Sequence, residues 1–392
     1  MNEATPQGLL FCELEIPRKG HAEVNASLVR TARSAYPEAP IRLLAERRHL
    51  EAVDRRLRTY GVEDVALEES PLASDARLTM PRGIRLFGAL VRRARREGTR
   101  RIVFLSCSRR RVGWAKVVAR RLPDVEVMVV LHETDFTFGL ASGGPVERLF
   151  HRLYYRALPP NLTLLVLGPW IAAHAHERYP FVRGSLAWMW HPYDSPLEIL
   201  DGEPPRRSLV EPLVLAYFGV AKPMKGADDF AALAERLAGE YGPERLRCLH
   251  LGRRVPRAPG FPEASGVESA PPGEELSRER IGELAAGVHY AVYPYDADAY
   301  SGRSSGALHD ALAYRIPLLA YRGPMFESYF AELGDIGDLV DSPADLERVV
   351  RGLLAAPPHD RYRRQLAALE RAAERLSCAA LAEQFRRPTR PE

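Results

Sequence analysis

The residues able to do chemistry concentrate in two short segments, each set where an apolar run gives way to a helix. The first, YPYDADAYSGRSSGALHDALAYRIPLLA (Tyr293–Ala320), ends a strand at Tyr293, passes through a polar loop and enters a helix near Ala307 through SGRSSG. Small residues ahead of a helix let backbone N–H groups approach an oxyanion, and the helix start adds about half a positive charge. Ser304, Ser305 and Gly306 therefore read as a phosphate cradle, and Arg303 as a bidentate phosphate contact. Asp310, one turn into the helix, is placed to accept hydrogen bonds from sugar hydroxyls. The competing reading of Ser305-Gly306 is a plain helix cap that binds nothing.

The second segment, LVLAYFGVAKPMKG (Leu213–Gly226), again runs from a strand through a glycine and a cationic loop into a helix, ADDFAALAERL. Of 55 basic residues only four are lysines (Lys19, Lys116, Lys222 and Lys225), so arginine supplies the generic positive charge in this chain. Two of those lysines fall in this one loop, which favours a need for compact ammonium groups over planar guanidinium. Gly219, Lys222 and Lys225 are the candidate contacts to a diphosphate, with a solvated surface loop as the alternative.

The elements that must position these segments alternate between short β-like runs and amphipathic stretches, the pattern of α/β layers built on parallel sheets. Strands are expected at 8–14, 41–45, 101–106, 126–131 and 162–167, and again at 213–218, 246–251, 290–293 and 317–321. Helices are expected at 21–35, 50–60, 84–97, 113–121, 145–158, 227–238, 277–286, 307–314, 343–355 and 360–385. The Pro-rich stretch HPYDSPLEILDGEPPRRSLVEP (191–212) fits neither period and reads as a linker. A chain of 392 residues accommodates two domains. They are placed at 1–195 and 196–358, followed by a helical segment at 359–392 that packs back toward the N-terminal domain. The fold class is α/β, with two Rossmann-like domains whose parallel sheets face across a central cleft. Such sheets bind ligands at the carboxyl ends of their strands.

Composition narrows the class further. With 46% hydrophobic and 27% charged residues the chain is globular. No apolar run reaches membrane-spanning length. MNEATPQG carries an acid where a secretion signal needs cations, so a cytoplasmic location is expected. Cys12, Cys107, Cys248 and Cys378 are too scattered for a zinc site or a disulfide framework. The net charge of +4 hides an asymmetry, since residues 1–195 hold 30 Lys and Arg against 21 Asp and Glu, and the remainder hold 25 against 30.

Taken together, Gly219…Lys225-Gly226 and Pro294…Gly306-Ala307-Leu308-His309-Asp310-Ala311-Leu312-Ala313…Pro317 resemble the nucleotide-binding domain of GT-B glycosyltransferases, in particular the retaining family 4. In that family a strand–GR–loop–KG–helix opens the C-terminal domain. A PS-x-x-E-G-F-G-x-x-x-x-E-A-hydrophobic-A-x-G-x-P block follows some eighty residues later. Order and spacing agree over nearly the whole chain. The resemblance implies an enzyme of the hexosyltransferase class (EC 2.4) that moves a sugar from a nucleoside-diphosphate sugar to a glycan, lipid or small-molecule acceptor. It further implies retention of configuration and no metal or other cofactor. By this resemblance Lys225, His132 and Arg303 are the catalytic candidates. Gly20, Gly219, Lys222, Lys225, Arg303, Ser304, Ser305, Gly306 and Asp310 are the donor-binding candidates. Gly20 lies between the first strand and first helix, where such enzymes bring amides near the donor phosphate, and His132 ends the strand VMVVLH, where the family often carries a histidine facing the donor sugar.

The chain also departs from the pattern. The family's first arginine falls on Val220, its first paired acid on Gly302, its second on Asp310 rather than glutamate, and its glycine before the final proline on Arg315. A sugar-nucleotide epimerase of the same plan and a non-catalytic homologue are the competing readings. Asp296-Ala297-Asp298 spells the DxD metal motif of an unrelated transferase class, and His174 and His176 sit two apart, off a common helix face. Neither supports a metal site. The absence of G-x-G-x-x-G after the first strand weighs against a dehydrogenase. The stripe VRRARREGTRR, with Arg92, Arg93, Arg95 and Arg96, lacks the interleaved aromatics of nucleic-acid binders. It suits peripheral contact with anionic membrane, at the inner face.

Overall fold

A computed structural model describes residues 8–14, 21–70, 80–139, 155, 158–194, 208–253, 266–270 and 276–391. Two compact units emerge: the chain up to Pro192 together with Gly302–Ser304 and the stretch from Leu376 onward, and Tyr193–Ser301 together with Ser305–Arg375. The first unit is built on a seven-stranded sheet of β1 (Leu9–Cys12), β2 (Ile41–Ala45), β3 (Val65–Glu69), β4 (Arg101–Phe104), β5 (Glu126–Leu131), β6 (Leu162–Val166) and β7 (Leu186–Trp188). Their order is β3-β2-β1-β4-β5-β6-β7, with every pairing parallel. The second is built on a six-stranded sheet of β8 (Leu213–Phe218), β9 (Leu246–Leu251), β10 (Val267–Ser269), β11 (Tyr290–Tyr293), β12 (Leu318–Tyr321) and β13 (Gly337–Val340). Its order is β10-β9-β8-β11-β12-β13, again all parallel.

Central strands of a parallel sheet are covered on both faces, so they read as unbroken apolar runs. LLFC of β1 and LVLAYF of β8 are buried at every position, whereas edge strands β3 and β10 are only partly covered. Some helices between strands bury a single stripe, whereas Ala22–Ala35 is covered on nearly every side. Arg47–Thr59 turns His49, Leu50, Val53 and Leu57 inward, and Glu46 caps its start by accepting from the Arg48 and His49 N–H groups. Pro343–Ala355 is started by Ser342, which accepts from Asp345 N–H, with Pro343 in the first turn. It buries Leu346, Val350, Leu353 and Leu354 into the core that Leu215, Tyr217, Val292 and Leu319 present from the sheet.

The topology fixes where ligands can sit. Strand order reverses between β1 and β4 in the first sheet and between β8 and β11 in the second. Loops leaving such neighbours diverge to opposite faces and open a crevice beyond the carboxyl ends. The loops after β8 and β11 are the two segments that sequence chemistry singles out.

Several elements lie outside the sequence reading. The strands β3, β7, β10 and β13 and the helices Thr134–Phe138 and Pro324–Leu333 were not anticipated. The helix expected at 360–385 is two, His359–Arg375 and Ala382–Arg386, and the chain passes from the second unit to the first at Leu376. Its final residues are tied in closely. Arg101 donates to the carbonyls of Phe385 and Arg386, Phe385 stacks on Phe11, and Thr389 forms an antiparallel bridge with Trp188 on β7. The helix expected at 145–158 and most of the expected linker lie outside the described residues.

Candidate functional site

In the second unit the loop after β8 is set by glycines. Gly219 adopts φ 87°, and its carbonyl accepts from His250 Nε2 at 2.8 Å. A Cβ on Gly252, at the end of β9, would lie 2.0 Å from that carbonyl oxygen, so glycine is required where the two strand ends converge. Gly226, at φ 64°, ends a short turn over Pro223–Lys225, and its own Cβ would stand 2.0 Å from the Pro294 carbonyl. The loop after β8 is thereby clamped to the chain leaving β11. Lys225 is half-buried within it, its ammonium 5.3 Å from the centre of the Tyr295 ring, while Lys222 is exposed. A Cβ on Gly219 would come within 3.4 Å of Lys225 Nζ, which places the ammonium back over the end of β8.

The helix Gly306–Ala313 begins beside it. Ser305 precedes this helix but makes no side-chain cap; its buried hydroxyl is shared with Tyr295 OH at 3.1 Å and so does not serve the first N–H groups. Ser305 is thus the residue at the helix N-cap position, but its hydroxyl is turned to Tyr295 instead of the first turn. Gly306 is exposed, and an added Cβ there would meet nothing within 4 Å. Tyr293 OH donates to the Ala307 carbonyl at 2.6 Å and fixes the first turn from the strand side. Asp310 is half-buried and accepts from Tyr193 OH at 3.1 Å. Its neighbour His309 is buried, donating from Nδ1 to the Ser305 carbonyl at 3.0 Å and accepting at Nε2 from Tyr329 OH at 3.0 Å. Burial lowers its pKa to about 4, so it is neutral at pH 7.

Arg303 and Ser304 belong with the first unit instead. The Arg303 guanidinium donates to Glu133 at 2.7 Å, and its carbonyl accepts from Trp170 Nε1 at 3.1 Å. Gly302 O accepts from both Thr134 N (3.0 Å) and Thr134 Oγ1 (3.1 Å). A Cβ on Gly302 would lie 2.8 Å from Thr134 Oγ1, 2.9 Å from Asp135 Oδ2 and 3.2 Å from the His174 ring. Glycine at position 302 is thus a packing requirement of this chain.

His132 stands at the carboxyl end of β5. It is half-buried, and its Nε2 donates to the Leu105 carbonyl at 2.9 Å. Burial among protein atoms holds its pKa down at about 4. The His21 ring lies 4.2 Å away, at the start of the helix Ala22–Ala35. Gly20 lies outside the described residues. Asp296 accepts from Ala299 N–H at 3.0 Å and so shapes a turn, and among the described residues no group of three or more potential ligands could hold a metal ion.

Sequence reasoning missed two clusters in the first unit. At the end of β1 the buried Glu13 accepts from Ser106 Oγ at 2.7 Å and Asn25 Nδ2 at 3.1 Å, and Asn25 also meets His49 Nε2 at 3.0 Å. A glutamate closing the apolar run LLFCE was the available signal. The second cluster is Asp135, His174 and Tyr179. His174 reaches Asp135 through Nε2, while the backbone carbonyl of His176 accepts from Arg183 Nε. On the Arg-rich stripe, Arg93 is drawn into ion pairs with Glu68 and Glu97, whereas Arg92, Arg95 and Arg96 are exposed.

No family model matches this chain, and no curated protein sequence does. Solved structures do. A glycosyltransferase from Rickettsia africae superimposes with a TM-score of 0.66 at 9% identity, covering 97% of each chain. Sucrose-phosphate synthase from Thermosynechococcus elongatus gives 0.62 at 14% identity, also covering 97% of each. A UDP-N-acetylglucosamine 2-epimerase gives 0.52 at 15% identity over 99% of each. The fold is GT-B: two Rossmann-like units, each on a parallel sheet.

Proposed function

We propose that the protein is a glycosyltransferase of the hexosyltransferase class, moving a sugar from a nucleoside-diphosphate donor to a glycan, lipid or small-molecule acceptor. The observation that carries this reading is the Gly219–Gly226 loop clamped against Pro294, with Lys225 laid over the end of β8 at the switch point of the second sheet. In this reading the second unit holds the nucleotide. The Gly306–Ala313 helix start receives the diphosphate, Asp310 accepts ribose hydroxyls, and Lys225 stabilises the charge that grows on the leaving group. Lys222 adds a more distant cation. With its guanidinium drawn to Glu133, Arg303 contributes less to phosphate binding than its sequence position suggests, and Lys225 becomes the principal cation. His132, neutral at pH 7 and anchored through Nε2, presents its ring at the carboxyl end of β5 in the unit that takes the acceptor. The reaction is assigned as retaining and metal-independent, following the family 4 resemblance, and the location as cytoplasmic. The exposed Arg92, Arg95 and Arg96 suit contact with an anionic inner membrane face. Among the described residues no helix is long and apolar enough to cross a membrane.

The likeness to an epimerase supports a second reading in which the sugar is rearranged without leaving for an acceptor. The deciding experiment incubates the protein with UDP-, GDP-, ADP- and dTDP-sugars, with and without an acceptor mixture and with EDTA present. Release of nucleoside diphosphate that depends on acceptor and survives EDTA supports transfer. Rearrangement of the nucleotide sugar without acceptor supports the epimerase, and no turnover under any condition supports a non-catalytic homologue.

A further inference from the structure

The short helix Thr134–Phe138 follows β5 and carries Asp135, a carboxylate whose two oxygens are treated differently. Oδ1 accepts from Tyr179 OH and from His174 Nε2 at 2.9 Å, with Arg178 Nε 3.7 Å away. Oδ2 takes no hydrogen bond from any described residue, and the side chain is 39% exposed. Burial tends to raise the carboxyl pKa, but the bonds from Tyr179 and His174 outweigh it and hold the group below its ordinary value. Tyr179, pushed up to about 12 by burial and by the carboxylate, keeps its proton and donates it to Asp135 Oδ1. The carboxylate is therefore ionised, fixed through one oxygen and open at the other.

What Oδ2 faces is set by the chain beside it. A Cβ on Gly302 would lie 2.9 Å from Oδ2, so even alanine would displace the oxygen. Gly302 cannot withdraw, because Thr134 holds its carbonyl twice. The bare glycine backbone, two residues ahead of Ser304, thus preserves the position of a preoriented acceptor at the carboxyl end of a parallel strand. That is where α/β sheets bind ligands. An ionised oxygen that receives no hydrogen bond from the described residues suits hydroxyl donors.

We propose that Asp135 Oδ2 is a sugar-binding group, receiving a hydroxyl of a hexose ring, with His174 and Tyr179 as the positioning residues that aim it. This rests on the glycosyltransferase reading. The shared chemistry is the sugar hydroxyl, and its two sources are the donor sugar and the acceptor sugar. Asp135→Asn is the informative variant. Tyr179 and His174 both donate, so the amide oxygen must take the Oδ1 place, and an NH₂ then replaces Oδ2. The anchors survive while the exposed atom changes from acceptor to donor.

The test uses the full chain, with calorimetric affinities for UDP-glucose and UDP (or the matching pair whose base the protein prefers) and steady-state kinetics. If the donor sugar is bound, Asp135→Asn weakens the nucleotide sugar by about tenfold or more and leaves the nucleoside diphosphate unchanged. If the acceptor is bound, its KM rises by a similar factor while both nucleotide affinities hold. Either result supports the proposal. Unchanged donor affinity together with unchanged acceptor KM overturns it, as does an equal loss for nucleotide and nucleotide sugar accompanied by a lower Tm. Tyr179→Phe removes one anchor and keeps the carboxylate; it should show the same selectivity in weaker form, and it serves if Asp135→Asn does not fold. Failure of the wild-type protein to bind or turn over any nucleotide sugar would instead overturn the glycosyltransferase reading, and this assignment with it.

Discussion

Replacing Gly226 by alanine tests the clamp that organises the second unit's switch point. An L-residue at φ 64° sits in the left-handed region, at roughly 1–2 kcal/mol. The new Cβ would also start 2.0 Å from the Pro294 carbonyl oxygen, a backbone atom that no side-chain rotation can move aside. Forcing such an atom into packed surroundings costs about 1–3 kcal/mol. The sum is about 2–5 kcal/mol, which for a unit of this size lowers Tm by roughly 5–15 °C. Calorimetry is the right readout, because all four tryptophans (Trp114, Trp170, Trp188 and Trp190) lie in the first unit and their emission reports that unit. Gly239→Ala, inside the helix Ala227–Tyr241 with open space around its Cβ, is the matched control and should stabilise by about 0.5–1 kcal/mol. If Gly226→Ala melts with the wild-type protein, the loop is not clamped and the placement of Lys225 over β8 falls with it.

Further outcomes follow from the same geometry. Lys225→Ala should lower kcat/KM by roughly 10²-fold, the scale of losing one transition-state donor, with only partial rescue by arginine; wild-type kinetics would remove Lys225 from the site. Asp310→Asn should weaken nucleoside-diphosphate binding by about 1.5–3 kcal/mol with little change in the melting of the free protein, whereas a melting change alone would mean that the residue only braces its helix. His309, with a folded pKa near 4 against an ordinary 6.5, stabilises the fold fully above pH 6.5, and that contribution declines as pH falls toward 4. It amounts to about 3 kcal/mol at most, so the Tm of His309→Gln should vary less between pH 7 and pH 4 than that of the wild type; parallel curves would refute the assignment. Charge reversal at Arg92, Arg95 and Arg96 should abolish binding to anionic vesicles at low salt without altering nucleotide affinity, and a wild-type protein that ignores such vesicles makes the stripe an ordinary solvated face.

How much of this was legible in the sequence depends on the distance over which each feature is encoded. Strands buried on both faces announce themselves as apolar runs. Ile41–Ala45, Glu126–Leu131, Leu213–Phe218, Leu246–Leu251 and Tyr290–Tyr293 match expectation residue for residue. The strands that escaped, β3, β7, β10 and β13, are short and form the four edges of the two sheets, and GDLV or VES carries no pattern that separates it from a turn. The loops at 219–226 and 305–310 were readable because each carries its chemistry within a few consecutive residues. The Asp135 cluster was not, since His174 and Tyr179 stand 39 and 44 residues away and only the β5–β6 order brings them together. Ser106 and Glu13, 93 residues apart, meet for the same reason across β1 and β4. Gly302 is the instructive case. The sequence motif alone reads it as an absent acid, whereas in three dimensions its missing side chain leaves room for Asp135 Oδ2.

The closing stretch of chain on the first unit has a consequence for biogenesis. Arg101 is satisfied by carbonyls 284 and 285 residues downstream, Cys378 meets the Ser27 carbonyl, and Arg386 holds the carbonyl of Ala35. The half of the protein that leaves the ribosome first therefore cannot complete its own interior until the last helix has been made. While the second unit is being synthesised, the seat awaiting Phe385 is an open apolar surface for the whole interval. A fragment ending at residue 192 would carry that surface permanently, which makes it an aggregation-prone product rather than a separable domain, whereas a cut just before Leu376 spares every strand and still unseats the first unit.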